Sequence, residues 1–261
     1  MRRILSAIIL LPLVFGTVYF LPAVATLVLA EAVVFFAAIE YVGLAERIGV
    51  RLPKAVVVAS AMAVCASVGQ PGSATEVTLI AAMVVVGAQA VALGRSTPQV
   101  LNQVAISCFS LIYIGLTVGT LVSVRGQYGR EALSILLLTI MVSDMAQYYG
   151  GRLLGRRPLA PVISPKKTVE GAVVGLIGGV FVMLLLGNFL LPSWPTSTLV
   201  LLGITVVILG IIGDLFESLI KRSVGVKDSS GLIPGHGGIL DRLDSLLFAA
   251  PGYYVFLYQL S

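Results

Sequence analysis

Nine long apolar runs follow one another along the chain and leave few architectures open to it. Each run approaches the roughly 20 residues that an α-helix needs to cross the hydrocarbon core of a bilayer. Because 58% of the 261 residues are hydrophobic and only 11% are charged, a water-soluble domain could not bury these runs. We therefore predict an all-α, polytopic integral membrane protein with about nine transmembrane helices. The runs cover about residues 4–21, 23–45, 54–70, 77–94, 101–123, 131–150, 169–191, 197–220 and 243–260.

The joins between the runs are short, and Pro or Gly stands in most of them. No stretch is long or polar enough to form a soluble domain or a flexible linker. We therefore predict a single transmembrane domain over residues 1–261, with N-terminal helices in 1–130 and a more polar C-terminal half in 131–261. The basic start and long apolar run of residues 1–25 indicate a retained first helix rather than a cleaved signal peptide.

The basic residues predict how the helices are oriented. If nine spans begin in the cytoplasm, every Lys and Arg except Arg125 and Arg130 lies on the cytoplasmic side. This orientation predicts a multi-pass protein of the inner (cytoplasmic) membrane, with the loops 151–168 and 221–242 facing the cytoplasm. We attribute the net charge of +5 to these loops and to their contacts with anionic membrane lipids. Because no basic face interleaved with aromatic residues is visible, we expect no nucleic-acid partner.

Two carboxylates lie inside predicted spans at a matching depth. Asp144 precedes the helix end at Gly151 by seven residues, and Asp214 precedes Lys221 by the same number. A rise of about 1.5 Å per residue places each carboxylate roughly 10 Å below its helix end. A hydrogen bond to a neighbouring helix would explain one carboxylate at that depth. Two at the same depth favour a polar cavity in the C-terminal half that opens to the cytoplasm.

The stretch Ser218–Asp244 is the most polar part of the chain. Glu217 and Lys221, four residues apart, belong to a helix face that we expect to open to the cytoplasm. Asp241 and Asp244 share a face at the start of the last helix. The helix dipole alone would explain Asp241 there, but it does not explain Asp244. Between the two helices, a glycine-rich loop can approach a ligand closely, and its amide groups suit a phosphate.

The loop before the seventh run reads GGRLLGRRPLAPVISPKKTVEG and is basic and rich in proline. Thr168 can cap the helix that follows. Lys166 and Lys167 then stand at the positive end of that helix, where anions bind. The alternative is an anchor that touches lipid head groups, and for Arg156 and Arg157 the two interpretations are equally open.

Together these residues describe a site for a metal ion and phosphates. Ligand sets made only of oxygen favour Mg²⁺, which commonly bridges substrate phosphates. No HExxH, GxSxG or cysteine-nucleophile pattern is present, and Cys65 and Cys108 lie in apolar runs. The residues therefore indicate phosphoryl or nucleotidyl transfer involving a lipid phosphate, where cations must neutralise two anions that meet.

Two longer patterns connect the chain to a known family. Residues 218–244 match S-x-x-K-R-x(4)-K-D-x-[SGA]-x(2)-[LIF]-P-x-H-G-G-x-x-D-R-x-D throughout. A second pattern, D-x(6)-GR…LxPxISPKKTxEG, is matched from Asp144 to Gly171. With both patterns, the C-terminal half resembles the phosphatidate cytidylyltransferase family, also called the CDP-diacylglycerol synthases. One departure follows Asp144, where Met145 replaces the family's usual hydroxyl residue and Gln147 is the candidate to replace its contact.

The resemblance implies that CTP and phosphatidic acid from the inner leaflet give CDP-diacylglycerol and pyrophosphate, with Mg²⁺ as cofactor. It also implies roles for individual residues. Metal binding is assigned to Asp144, Asp214, Asp241 and Asp244, with the alternative that Asp244 holds a metal-bound water or orients Arg242. Catalysis is assigned to Asp214, Asp241, Lys221, Arg222 and His236. Substrate binding is assigned to Arg152, Ser164, Lys166, Lys167, Ser218, Lys227, Asp228, Gly237, Gly238 and Arg242.

Other interpretations stay open at this point. Another CTP-dependent lipid enzyme of the same superfamily, such as a polyprenol or phytol kinase or a CDP-archaeol synthase, would use a different acceptor. A secondary transporter would also place charges within the membrane, but internal repeats are lacking and the polar residues gather at one membrane face. The sequence leaves open the acyl-chain preference, the number of metal ions, a role for a monovalent cation, and whether the chain forms a homodimer.

Overall fold

The structure is a computed structural model that describes residues 2–70, 72–93, 99–192, 194–233, 235 and 237–260, without the side chains of residues 2–9 and 260. Within these ranges every predicted apolar run forms a helix, and the ends agree with the prediction to within a few residues. The helices are α1 (Arg2–Phe20), α2 (Ala23–Arg47), α3 (Lys54–Gly69), α4 (Thr75–Ala92), α5 (Val100–Ser110), a π-helical segment (Leu111–Leu116), α6 (Thr117–Gln127), α7 (Gly129–Leu154), α8 (Val169–Leu190), α9 (Thr196–Ser223), α10 (Leu240–Leu243) and α11 (Leu246–Leu260). The strands are β1 (Pro158–Ala160) and β2 (Ser164–Thr168).

Six helices in the described ranges are long and apolar enough to cross a bilayer, which confirms a multi-pass membrane protein. They are α2, α4, the continuous helix from α5 to α6, α7, α8 and α9. The shorter helices α3 and α11 have 16 and 15 residues. At about 1.5 Å per residue they fall short of the roughly 30 Å hydrocarbon core. The count of nine spans therefore stays a prediction.

The chain divides into two compact units. The first comprises Met1–Gln127 with Val224–Arg242, and the second comprises Tyr128–Ser223 with Leu243–Ser261. The first unit thus contains the helices up to Gln127 and the glycine-rich loop, and the second contains α7, α8, α9 and α11. The predicted division of the helices at residue 130 stays a prediction. That the whole chain is a single transmembrane domain stays a prediction.

In the first unit, α3 packs closely against the helix that runs from α5 to α6. The π-helical segment lies within that helix, and Gly115 in it faces α3. A Cβ at Gly115 would lie 2.5 Å from the Ala61 carbonyl oxygen, so only glycine permits this approach. Near the end of α6, the Arg125 Nε donates to the Val18 carbonyl oxygen at 3.0 Å. This contact ties α6 to the C-terminal turn of α1, where carbonyl groups lack partners within the helix.

In the second unit, a row of glycines brings α8 against α7. Gly171, Gly175 and Gly179 recur every four residues and therefore share one face of α8. A Cβ at Gly171 would lie 2.8 Å from the Gln147 carbonyl oxygen. Such small residues allow the backbones of membrane helices to approach each other closely. The turn of α7 that carries Asp144 and Gln147 is thereby held against α8.

A two-stranded hairpin that the sequence did not predict lies within the loop 151–168. β1 and β2 pair in antiparallel fashion, with Pro158 opposite Thr168. Because each strand of a two-stranded sheet is an edge strand, proline can occupy it without removing an interior ladder bond. The predicted cap of α8 is confirmed, since the Thr168 hydroxyl accepts a hydrogen bond from the Gly171 N–H at 3.1 Å. The all-α prediction is right for the helices and incomplete for this loop.

Candidate active site

Three of the predicted metal-binding aspartates occur in the second unit. Asp144 lies on α7, Asp214 on α9, and Asp244 in the turn between α10 and α11. The Ser245 hydroxyl donates to Asp144 Oδ2 at 3.2 Å, while the Ser245 N–H donates to Asp244 Oδ1 at 2.8 Å. A Cβ at Gly213, the residue before Asp214, would lie 2.5 Å from the Asp244 carbonyl oxygen. These contacts bring the three carboxylate-bearing segments to one place in the second unit.

The electrostatics of Asp244, which lies in a turn outside the six spans, reflect this crowding. Burial raises the pKa of its carboxyl well above the ordinary value, and the negative charges of Asp214, Glu217 and Asp144 raise it further. Carboxylates this close together disfavour one another's ionisation unless positive charge compensates them. The arrangement therefore suits a cation. A place for Glu217 beside these aspartates was not predicted from the sequence.

Two lysines pair with the acidic groups of the second unit. Lys167, on β2, forms an ion pair with Asp214. The Lys221 Nζ lies 2.8 Å from Glu217 Oε2, and both side chains are buried, Glu217 completely. The expectation that this pair lies on a face open to the cytoplasm is therefore wrong. An ion pair at a spacing of four residues satisfies both charges within one helix, which makes their burial tolerable.

The remaining predicted residues of this unit lie beside the carboxylates or at the surface. The Ser218 hydroxyl lies 3.5 Å from Asp214 Oδ1, one helical turn away. The Arg222 side chain is exposed, and its Nε donates to the Ile163 carbonyl oxygen in the hairpin turn at 3.4 Å. Three further positions are exposed or half-buried: Arg152, Ser164 and Lys166.

Gln147 occupies the position where the sequence suggested a replacement contact. Its Nε2 donates to Asp144 Oδ1 at 3.2 Å and to the Ser143 hydroxyl at 3.4 Å. Met145, by contrast, is 46% exposed. The Asp144 carboxylate is therefore held from two sides, by Gln147 on its own helix and by Ser245 beside α11.

The fourth predicted metal ligand, Asp241, lies in the first unit and holds the glycine-rich loop together. Its Oδ2 accepts hydrogen bonds from the Ser229 N–H at 2.9 Å, the Ser229 hydroxyl at 2.8 Å and the Gly238 N–H at 2.7 Å. Gly237 has a φ of +80°, and a Cβ there would lie 2.5 Å from Asp241 Oδ2. The loop thus needs glycine to wrap around this carboxylate. The metal role of Asp241 and the phosphate roles of Gly237 and Gly238 stay predictions.

The charged residues that flank this loop are exposed. They are Lys227, Asp228 and Arg242. Because they are exposed, their charges are accessible to a soluble ligand. This is compatible with the predicted substrate-binding roles, which stay predictions. His236 lies outside the described residues, and its predicted catalytic role stays a prediction as well.

Glu40, on α2, contacts this loop, which the sequence did not predict. Its side chain is 6% exposed, and its carboxylate accepts hydrogen bonds from residues of the glycine-rich loop, nearly 200 positions away. The one available signal was an acidic residue within an apolar run. Glu31, nine residues earlier on the same helix, gives the same signal. An acidic residue in an apolar run also does not indicate which segment it contacts.

The oxygen donors in the second unit fit a hard divalent cation by their chemistry. Asp144, Asp214, Asp244 and the Ser245 hydroxyl offer only oxygen ligands, which Mg²⁺ prefers. In the part of the chain that the structure describes, no three His, Cys, Asp or Glu side chains are arranged to hold a metal ion directly. Lys167 engages Asp214, and Ser245 engages Asp144. Metal binding there requires these contacts to be shared or released.

Comparison with known proteins shows which family this chain resembles over most of its length. A cytidylyltransferase family model matches residues 1–260. The chain is 37% identical over 195 residues to the phosphatidate cytidylyltransferase of Helicobacter pylori strain J99, covering 72% of this chain and 67% of that protein. It is 39% identical over 152 residues to that of strain 26695, covering 57% and 55%. It is 40% identical over 162 residues to that of Bacillus subtilis strain 168, covering 60% and 59%.

The matched regions thus span from about half to two thirds of the length of these relatives. The family match extends further along this chain, through the N-terminal helices that the two sequence patterns do not reach. It therefore includes the first-unit helix that carries Glu40 as well as every aspartate of the candidate site. On this match, the chain belongs to the cytidylyltransferase family.

Proposed function

We propose that this chain is a phosphatidate cytidylyltransferase, which converts CTP and phosphatidic acid to CDP-diacylglycerol and pyrophosphate. A phosphate oxygen of phosphatidic acid forms a bond to the α-phosphorus of CTP, and the bond from that phosphorus to pyrophosphate breaks. The observation that carries the proposal is the group of Asp144, Asp214 and Asp244 beside the Lys167 ammonium. The names of the relatives support the same activity.

In this proposal Asp144, Asp214 and Asp244 hold Mg²⁺, and the metal role that the signature assigns to Asp241 stays a prediction. When bound, the ion neutralises phosphate charge and polarises the α-phosphorus toward attack. Ser245 and Gln147 hold the Asp144 carboxylate in place through their two contacts of 3.2 Å.

The positive side chains divide between two tasks. Lys167 and Lys221 are paired with Asp214 and Glu217, so they compensate carboxylate charge and restrain those side chains. Lys166 is exposed on β2, next to Lys167 in the sequence, and its charge is accessible to a triphosphate or a lipid phosphate. Arg152 and Arg222 are exposed at the ends of α7 and α9 and serve the same purpose.

The glycine-rich loop is proposed to bind CTP. Lys227 and Arg242 supply positive charge, and the backbone of Gly237 and Gly238 can approach a phosphate closely. His236 belongs to the same loop in the sequence, and we propose that it orients a phosphate of the substrate.

The membrane setting follows from the solubility of the two substrates. Phosphatidic acid stays in the bilayer because each buried CH₂ group is worth about 0.8 kcal/mol, whereas CTP stays in water. We therefore propose that the reaction occurs at the cytoplasmic face of the inner membrane, in phospholipid biosynthesis, with lipid from the inner leaflet. Whether a homodimer forms is left open.

Two radioactive labels test the proposal against a lipid kinase. Purified protein in detergent is incubated with Mg²⁺ and with CTP labelled on either the α- or the γ-phosphate. Parallel reactions contain phosphatidic acid, a polyprenol, phytol or an archaeal ether lipid as the acceptor. Cytidylyl transfer moves only the α-label into lipid, and the γ-label leaves as pyrophosphate. A kinase acting on polyprenol or phytol moves the γ-label instead. Transfer of the γ-label, or α-label transfer only to an archaeal ether lipid, would contradict the proposed substrate pair.

A further inference from the structure

One carboxylate of the N-terminal half makes four contacts with the glycine-rich loop. Glu40 Oε1 accepts hydrogen bonds from the Ser230 hydroxyl at 2.6 Å and the Ile239 N–H at 2.9 Å. Its Oε2 accepts from the Leu240 N–H at 2.8 Å and lies 3.0 Å from the Ser229 hydroxyl, which shares its single proton between Glu40 and Asp241. All four partners lie in the first unit, as Glu40 does. The two ends of the loop therefore meet at a single side chain.

The contacts require an acceptor at both oxygens. Each oxygen faces one backbone N–H, from Ile239 or from Leu240, and a backbone N–H can only donate. An amide in place of the carboxylate would direct its NH₂ group against one of these N–H groups in either orientation. Because the site is buried, that clash would leave a donor without an acceptor, which is unfavourable.

Glu40 and Asp241 act on the loop together. The Ser229 hydroxyl lies within hydrogen-bonding distance of both carboxylates, 3.0 Å from Glu40 Oε2 and 2.8 Å from Asp241 Oδ2. Gly238 passes between them, and a Cβ at that position would collide with Glu40 and with the Ser229 hydroxyl. The absence of a side chain at Gly238 is thus explained by the approach of Glu40 to the loop backbone.

From these contacts we propose that Glu40 is a positioning residue for the reaction: it fixes the shape of the glycine-rich loop that binds CTP. This inference rests on the proposed function for its kinetic consequence, but the contacts themselves do not depend on it. Glu40 touches no substrate in this proposal and acts through Ser229, Ser230, Ile239 and Leu240. In this proposal the N-terminal half contributes to the reaction, because Glu40 on α2 holds the glycine-rich loop in shape.

The test compares Glu40→Ala, Glu40→Gln and Glu40→Asp with Glu31→Gln. Glu31 lies on the same helix and hydrogen-bonds Cys65 rather than the loop, so it is a matched control for removing an acidic side chain from α2. The apparent KM for CTP is expected to rise at least about tenfold in the Ala and Gln variants, since each lost contact to a charged group is substantial. The KM for phosphatidic acid is expected to stay unchanged. Asp keeps the acceptor chemistry with a shorter reach and is expected to recover part of the loss.

Hydrogen exchange provides a second measurement that does not depend on any activity. In Glu40→Ala, the amides of Ile239 and Leu240 are expected to exchange at least about tenfold faster, while Glu31→Gln leaves them at the wild-type rate. If Glu40→Ala does not fold, Ser230→Ala removes one of the four contacts and is expected to shift both measurements in the same direction, by less.

The outcomes separate this inference from the proposed function. Unchanged exchange at Ile239 and Leu240 in Glu40→Ala would overturn the inference even if the wild-type protein is active. Faster exchange with an unaltered KM for CTP would also overturn it, because the loop would then have no effect on CTP binding. A loss of kcat alone would do the same, since simple destabilisation lowers the fraction of active enzyme and leaves KM unchanged. If the wild-type protein shows no cytidylyl transfer, the exchange measurement still decides whether Glu40 holds the loop.

Discussion

The Ser245 hydroxyl lies 3.2 Å from the Asp144 carboxylate, although 101 positions separate the two residues in the sequence. Through this contact, the turn before α11 and the middle of α7 form one polar site in the second unit. Asp214 joins them from α9, because Gly213 lets the α9 backbone reach the Asp244 carbonyl oxygen. Three elements distant in sequence thus supply one acidic group.

Replacing Asp214 with Asn is expected to lower kcat at least about a hundredfold while leaving the protein folded in the membrane. Asn removes the charge that pairs with Lys167 and is proposed to hold the metal ion. The matched control is Glu131→Gln in the first turn of α7, where Glu131 pairs with the exposed Arg130. Turnover by Asp214→Asn within about threefold of the wild type would exclude the metal role.

Changing Lys166 and Lys167 together to Gln is expected to lower kcat/KM by more than about tenfold, because each lost charged contact is worth about 1.5–3 kcal/mol. Steady-state kinetics with CTP and phosphatidic acid would measure this loss. Lys54→Gln, which removes an exposed charge at the start of α3, serves as the control. If the double variant keeps its kinetics and loses only affinity for anionic liposomes, these lysines are membrane anchors.

The predicted orientation places the glycine-rich loop in the cytoplasm. Leu232 is the suitable position for a labelling cysteine because its side chain is 50% exposed, whereas Ser229 is buried and hydrogen-bonded to Asp241 and Glu40. Leu232→Cys, with Cys65 and Cys108 replaced by Ala, should react only with reagents that enter the cytoplasm. Modification by an impermeant reagent applied to intact cells would reverse the orientation.

Gly175→Ala is expected to lower both the thermal stability and the activity. The added methyl would meet the Gln147 side chain and lie 3.0 Å from the Ser143 carbonyl oxygen. Such overpacking costs about 1–3 kcal/mol, and here it displaces the residue that holds Asp144. Gly87→Ala on α4 is the control, since its Cβ would have no neighbour within 4 Å. Equal thermal unfolding of both variants would show that the α7–α8 contact is looser than described.

The helices could be predicted because run length and hydropathy are local properties of the sequence. The depth of Asp144 and Asp214 could also be predicted, and both residues lie next to other acidic groups in the second unit, although their metal roles stay predictions. The hairpin escaped prediction because its prolines suggested an irregular loop. The burial of Glu217 and Lys221 was missed because a polar helix face is normally expected to face water.

Glu40 could not be assigned from the sequence for a different reason. Its partners lie 189 to 200 positions away, and no local pattern connects an acidic residue in one apolar run to a distant glycine-rich loop. The assignment of Asp241 illustrates the same difficulty. The signature marks it as important, but only the structure shows that its carboxylate binds the loop backbone at Ser229 and Gly238.

Phosphorus NMR of the complete reaction tests the proposed activity most directly. Purified wild-type protein is supplied with CTP, Mg²⁺ and phosphatidic acid, and the spectrum is followed as the phosphatidate signal declines. The predicted result is the appearance of CDP-diacylglycerol and pyrophosphate in equal amounts, with both formed at least about a hundredfold more slowly by Asp214→Asn. Formation of CDP with a newly phosphorylated lipid, or persistence of phosphatidic acid in the presence of folded wild-type protein, would contradict cytidylyl transfer to phosphatidate.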